Sequence, residues 1–155
     1  MHLKSILYVS AGLKNFTPKE LEDLAEIGYS NNLMLNLSGY LFFAKNTFIQ
    51  YLEGPEENLD ELFSRICSDD RHTVIRWISD EKLETRRFPD WSMRYLEENE
   101  LEQIHIKALL MEQIKLMRNF HLDGADFADK AFSIVDELAT DLAAIPLANE
   151  RSQAG

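Results

Sequence analysis

The chain has 155 residues, 45% of them hydrophobic, with 27 acidic against 16 basic side chains and a formal charge of −11. Its length and apolar content fit one domain with a real core and a small appendage, and the charge argues against nonspecific nucleic-acid binding and against an anionic membrane surface, both of which run on Lys and Arg. A single cysteine, Cys67, allows no internal disulfide and fits a reducing, cytoplasmic setting. The start shows no signal-peptide pattern, and no run is apolar for long enough to span a bilayer.

Leu3 to Ser10 is rich in β-branched and aromatic residues and reads as a strand, with apolar residues on both faces. Thr17-Pro18-Lys19-Glu20 opens a helix: Thr at the N-cap, Pro at N1 and Glu at N3 make a capping box. The helix is expected to end near Tyr29-Ser30-Asn31-Asn32, because Asn favours helix ends. Ser38–Phe43 and Phe48–Glu53 read as a β-hairpin turning at Lys45-Asn46. After Gly54-Pro55, the stripe Leu59, Leu62, Phe63, Ile66, Cys67 predicts a second helix, with Cys67 an inert core residue. Thr73 to Ile78 reads as a strand, Ser79 to Arg87 as a charged connection, and Trp91 to Tyr95 as a last strand with Trp91, Met93 and Tyr95 on one face.

The order β-α-β-β-α-β-β predicts an α+β, ferredoxin-like sheet with two helices on one face. The acidic run Glu97 to Glu102 reads as a solvated helix start. Apolar residues then recur at helical spacing from Leu101 and again from about Asp126, up to Pro146. These segments make a two-helix C-terminal extension that either covers the back of the sheet or pairs with another subunit. The expected division is 1–97 as the sheet domain, 98–147 as the helical extension and 148–155 as a disordered tail.

Within the hairpin, alternation puts Phe48, Gln50 and Leu52 on one face and Ile49, Tyr51 and Glu53 on the other. Gln50 is a primary amide between two large apolar side chains. Left without partners it costs about 1–3 kcal/mol, so something polar must meet it. With the first and third strands adjacent, Tyr8 is in reach. A flat ligand with amide-like edges would meet Gln50 from the sheet and Asn31 and Asn32 from the helix end. Phosphate-loop, zinc-protease, CxxC and nucleophile-elbow motifs are all missing, and the four histidines have no metal-ligand spacing.

The combination of Tyr8-Val9-Ser10, Asn31-Asn32, Ser38-Gly39, Phe48 to Gly54, Asp69-Asp70-Arg71-His72 and Arg87 to Met93 resembles the BLUF domains, blue-light sensors that use flavin. The likeness runs from Leu3 to about Tyr95, with Ser38 standing where the family more often has Thr. The resemblance implies noncovalent FAD between the two helices on the sheet. It implies that Tyr8 gives an electron and a proton to the excited flavin, and that Gln50 rearranges its hydrogen bonds beside the ring. It implies that Asn31 and Asn32 hold the polar ring edge and Ile66 packs on the ring, while Arg65, Asp69, Arg71 and His72 serve the ribityl and phosphate side or close the pocket. Trp91 and Met93 would relay the change outward. A non-enzymatic photoreceptor of the short type is then expected, self-associating and acting on a separate signalling protein. Two alternatives stand beside it. One is a ferredoxin-like enzyme with His72 and Asp69 as its acid/base pair, and the other is a flavin-binding regulatory module without photoactivity.

Overall fold

A computed structural model describes residues 2–98, 101 and 103–144. The chain runs β1 (Leu3–Gly12), α1 (Pro18–Met34), β2 (Ser38–Ala44), β3 (Thr47–Pro55), α2 (Glu56–Ser68), β4 (His72–Leu83), β5 (Arg94–Glu97), α3 (Ile104–Met117) and α4 (Gly124–Ala143). The strands form one sheet in the order β4-β1-β3-β2-β5, antiparallel except for the parallel β2–β5 pair. This is the ferredoxin-like α+β sheet that the element order predicts, extended at one edge by β5.

Local chemistry explains the element ends. Thr17 caps α1, accepting from the Glu20 amide at 3.2 Å while the Glu20 carboxylate accepts from the Thr17 amide at 3.1 Å. The hairpin turn has Lys45 and Asn46 at φ 51° and 58°, the paired left-handed geometry that suits the twist of the flanking strands. Gly39 has φ 153°, and a Cβ there would stand 1.8 Å from the Tyr51 carbonyl oxygen, so β2 approaches β3 closely only because this residue lacks one.

Several boundaries differ from the sequence reading. Helix α1 continues through Asn31 and Asn32 to Met34, with Leu35 as its cap. Tertiary contacts there outweigh the weak helix propensity of Asn. Strand β4 takes in Ser79 to Leu83, which pair with β1 rather than forming a connection. Strand β5 begins only at Arg94, so Trp91 to Met93 precede it and their side chains go to opposite faces. Cys67 is exposed, not core. Eight residues on from Leu59, it has turned about 80° from that direction, whereas Leu59 and Leu62 are buried. Glu97 closes β5, so the acidic run joins β5 to α3; Asn99, Glu100, Glu102, Pro146 and the tail expected from 148 lie outside the described residues.

The sheet carries a core on each face. On the front, α2 packs Leu59 and Leu62 on Ile6 and Leu52, and α1 packs Leu21 and Leu24 near Leu41, Phe48 and Met93. On the back, α3 and α4 of the same chain cover Leu7, Val9, Phe42, Ile49 and Tyr51 with Leu109, Leu110, Phe127, Val135 and Leu138, among others. Polar pegs fix this layer. The Arg76 guanidinium donates to the Asn119 carbonyl at 3.0 Å and sits 3.7 Å from the centroid of Phe127. Arg118 donates to Thr47 Oγ1 at 2.9 Å, and Tyr40 donates to Gln113 Oε1 at 2.7 Å. Leu110 is fully buried in this core. Leu110→Ala should therefore cost about 2–5 kcal/mol, read as a lower urea midpoint.

Candidate functional site

Between α1 and α2, above the centre of the sheet, lies an open cleft enclosing about 820 Å3 when its mouth is included. Its floor is Tyr8 on β1, Leu41 on β2 and Phe48 and Gln50 on β3. Leu24, Ile27, Gly28, Asn31 and Asn32 form the α1 wall, and Leu62, Arg65 and Ile66 form the α2 wall. Asp69, Arg71 and His72 line it from the turn between α2 and β4 and the start of β4, and Met93 enters from the β4–β5 connection. Tyr8, Asn31, Asn32, Gln50, Arg65, Ile66, Asp69, Arg71, His72 and Met93, all singled out in the sequence, thus stand around one cavity. Trp91 does not: it is buried on the back face, 5.3 Å from Phe88 between ring centroids.

Tyr8 and Gln50 are direct cross-strand partners in the antiparallel β1–β3 pair, which brings their side chains together. The Tyr8 hydroxyl donates a short hydrogen bond to Gln50 Oε1. Burial, with smaller contributions from Cys67 and Asp69, pushes the Tyr8 phenol well above its ordinary range, so it keeps its proton. Gln50 Nε2 donates to Met93 Sδ at 3.3 Å. Gly28 faces Met93; a Cβ there would lie 2.6 Å from Met93 Cε, so the methionine's end would have to shift. The amide that had to be met is therefore met by a phenol on one side and a thioether on the other.

Asn32 is buried, and its Nδ2 donates to the Ser92 carbonyl at 2.6 Å. Among the described residues its Oδ1 has no partner, which leaves an acceptor facing a mostly apolar cleft. Arg65 and Arg71 are half exposed at the other end, Arg65 paired with Glu61 and Arg71 with Asp69. Hydrogen bonds from Arg71 hold the Asp69 carboxyl at about 2, despite partial burial.

His72 Nε2 lies 3.1 Å from the Ile66 carbonyl, which makes it the protonated nitrogen. Nδ1 then accepts from Ser10 Oγ at 2.8 Å. Both ring nitrogens are engaged and the Asp69 carboxylate is paired with Arg71, so each member of the acid/base pair in the enzyme alternative has another partner. Burial lowers the His72 pKa below its ordinary 6.5, against the opposing pull of Asp69.

The sequence reading assigns no role of their own to Ser10, Gly28 and Glu53. Glu53 is fully buried on the back face. Its carboxylate accepts from Ser38 Oγ, Tyr51 Oη and the backbone amides of Arg87 and Phe88, each at 2.8 Å. The alternation that marked Gln50 also places Glu53 beside Ile49 and Tyr51, and a carboxylate there demands donors just as an amide does.

The family described as BLUF, sensors of blue-light using FAD, matches residues 3–94. Among curated relatives, the chain is 28% identical over 95 residues to photoactivated adenylate cyclase subunit beta of Euglena gracilis, covering 60% of this chain and 11% of that protein. It is 31% identical over 86 residues to the blue light- and temperature-regulated antirepressor BluF of Escherichia coli (strain K12), covering 56% of this chain and 21% of that one. The chain thus spans a small part of the curated relatives it matches. Among solved structures, the dark state of BlrB, a BLUF protein, superposes with a TM-score of 0.68 at 26% identity, covering 90% of this chain and 97% of that chain.

The His72 environment makes a pH prediction. As pH falls below 6.5, the unfolded chain takes up a proton before the folded one does, so stability is full above 6.5 and declines on acidification. His72→Gln should flatten that part of the pH dependence, measured as urea midpoints between pH 5 and about 7.5.

Proposed function

The chain belongs to the BLUF family, sensors of blue light whose cofactor is FAD, and on that footing we propose that it is a photoreceptor worked by Tyr8 and Gln50. The observation that carries the reading is the buried chain Tyr8 Oη to Gln50 Oε1, then Gln50 Nε2 to Met93 Sδ, lining the cleft between the two helices. Bound FAD supplies the absorption of blue light and the pull for an electron.

The residues fit that cofactor. Leu24, Ile66 and Phe48 offer apolar surface to a flat ring, and the unpartnered Oδ1 of Asn32 suits a ring N–H. Asn31 stands one residue away in the same wall. Arg65 and Arg71, at the exposed end, would meet the diphosphate.

Tyr8 keeps its phenolic proton until light acts, because burial disfavours the phenolate. The electron and that proton leave Tyr8 and afterwards return to it, so no net oxidation remains. Gln50 is the element that stays changed. Turning or tautomerising its carboxamide exchanges donor and acceptor without moving any charge. When the carboxamide turns, the oxygen comes to face Met93 and the N–H···S contact is lost; the tautomer keeps a single N–H on Nε2. Each mispaired bond costs on the order of 1 kcal/mol, enough to bias a neighbouring segment but not to unfold it. The signal is therefore a population shift that decays in the dark. It leaves through Met93 and the β4–β5 connection to a separate partner protein. The 97% cover of the BlrB chain supports a sensor of this short type.

The purified protein should be yellow, and blue light should move its flavin band reversibly to longer wavelength. Tyr8→Phe and Gln50→Leu should each abolish the reversible shift while flavin still binds. Retention of the full shift in either variant refutes the roles given to these residues.

A further inference from the structure

Gln50 points to the front of β3 and Tyr51, the next residue, to the back. The Tyr51 hydroxyl accepts from Arg87 Nη1 at 2.9 Å and donates to Glu53 Oε1 at 2.8 Å. Arg87 is anchored to the sheet a second time, because its own backbone amide and that of Phe88 donate to Glu53. Its side chain then crosses to α4. Nε donates to Asp136 Oδ1 at 2.6 Å, and the guanidinium lies 5.1 Å from the Phe132 centroid. Phe132 and Asp136 are four residues apart on one helix, so they share a face and clasp the guanidinium together.

The segment from Arg87 to Met93 therefore has a contact with α4 at one end and with the Gln50 amide at the other. Between them it is held at fixed points. The Gly39 amide donates to the Trp91 carbonyl at 3.0 Å, and Asn32 Nδ2 donates to the Ser92 carbonyl at 2.6 Å. A segment tied down this densely passes on a displacement at Met93 rather than absorbing it. We infer that Arg87 is a positioning residue that couples the state of the Gln50 amide to the placement of α4, through Asp136 and Phe132. The inference rests on the photosensor reading above. Coupling of this kind is reciprocal in free energy: if the amide biases α4, the grip on α4 biases the relative stability of the two amide arrangements, and a dark-recovery rate reads the part of that bias felt before the barrier.

Asp136 offers a clean test. Its side chain is 62% exposed, and Asp80 Oδ2, at 3.7 Å, keeps Arg87 paired when Asp136 is lost. Asp136→Asn should leave the size of the light-induced flavin shift unchanged. Its dark-recovery rate should change by about two- to fivefold, the scale of one partly exposed ion pair. Its light-minus-dark difference in amide hydrogen exchange across 131–140 should fall to less than half that of the wild type. Asp136→Glu, which keeps the carboxylate, should restore both. A wild type with a normal flavin shift but no light response across 131–140 overturns this inference alone, as does an equal response in Asp136→Asn. A wild type without any reversible shift overturns the photosensor reading and this inference with it.

Discussion

A primary amide buried in the middle of a sheet has two donors and an acceptor that need partners. Everything around Gln50 answers that demand. Phe48 and Leu52 flank it on the same strand face, Tyr8 supplies a donor from the neighbouring strand, and Met93 supplies a soft acceptor from a connection distant in sequence. A sulfur acceptor is weak compared with a carbonyl. The amide is thus satisfied by one strong partner and one weak one, the property on which the proposed switch role of Gln50 rests.

Glu53 poses the same problem on the other face and receives the opposite solution. Its carboxylate has four donors, two of them backbone amides, and no freedom to exchange roles. One strand therefore carries a soft polar group facing the cleft and, three residues later, a hard polar anchor facing the helices. The anchor holds the start of the same β4–β5 connection whose end touches the soft group. On the photosensor reading proposed above, a change at Gln50 acts against this firmly bonded frame.

Much of the site was legible in the chain because its signals are local or periodic. Strand alternation placed Tyr8 and Gln50 on interior faces, the capping box located α1, and the helical stripe placed Leu62 and Ile66 on the inner side of α2. The features that escaped depend on contacts between distant segments. Asn31 and Asn32 read as helix-ending residues, yet α1 runs past them because Asn32 is bonded to Ser92, sixty residues away. Cys67 fitted a stripe, but the turn of the helix carried it out to solvent. Trp91 and Met93 obey strand alternation in the sequence, yet they belong to a connection whose backbone sends one side chain to each core.

By itself, the sequence determined the ferredoxin-like order of elements, the burial of an amide at Gln50 and its likeness to flavin-using light sensors, because periodicity, capping and residue type act over short spans. The tertiary structure alone decided that α3 and α4 cover the back of their own sheet, that Met93 rather than Trp91 faces the amide, and that Arg87 joins β3 to α4. Those choices turn on shape and pairing between segments tens of residues apart. No local pattern encodes them, since the same apolar stripe on α3 or α4 would serve equally well against this sheet or against another.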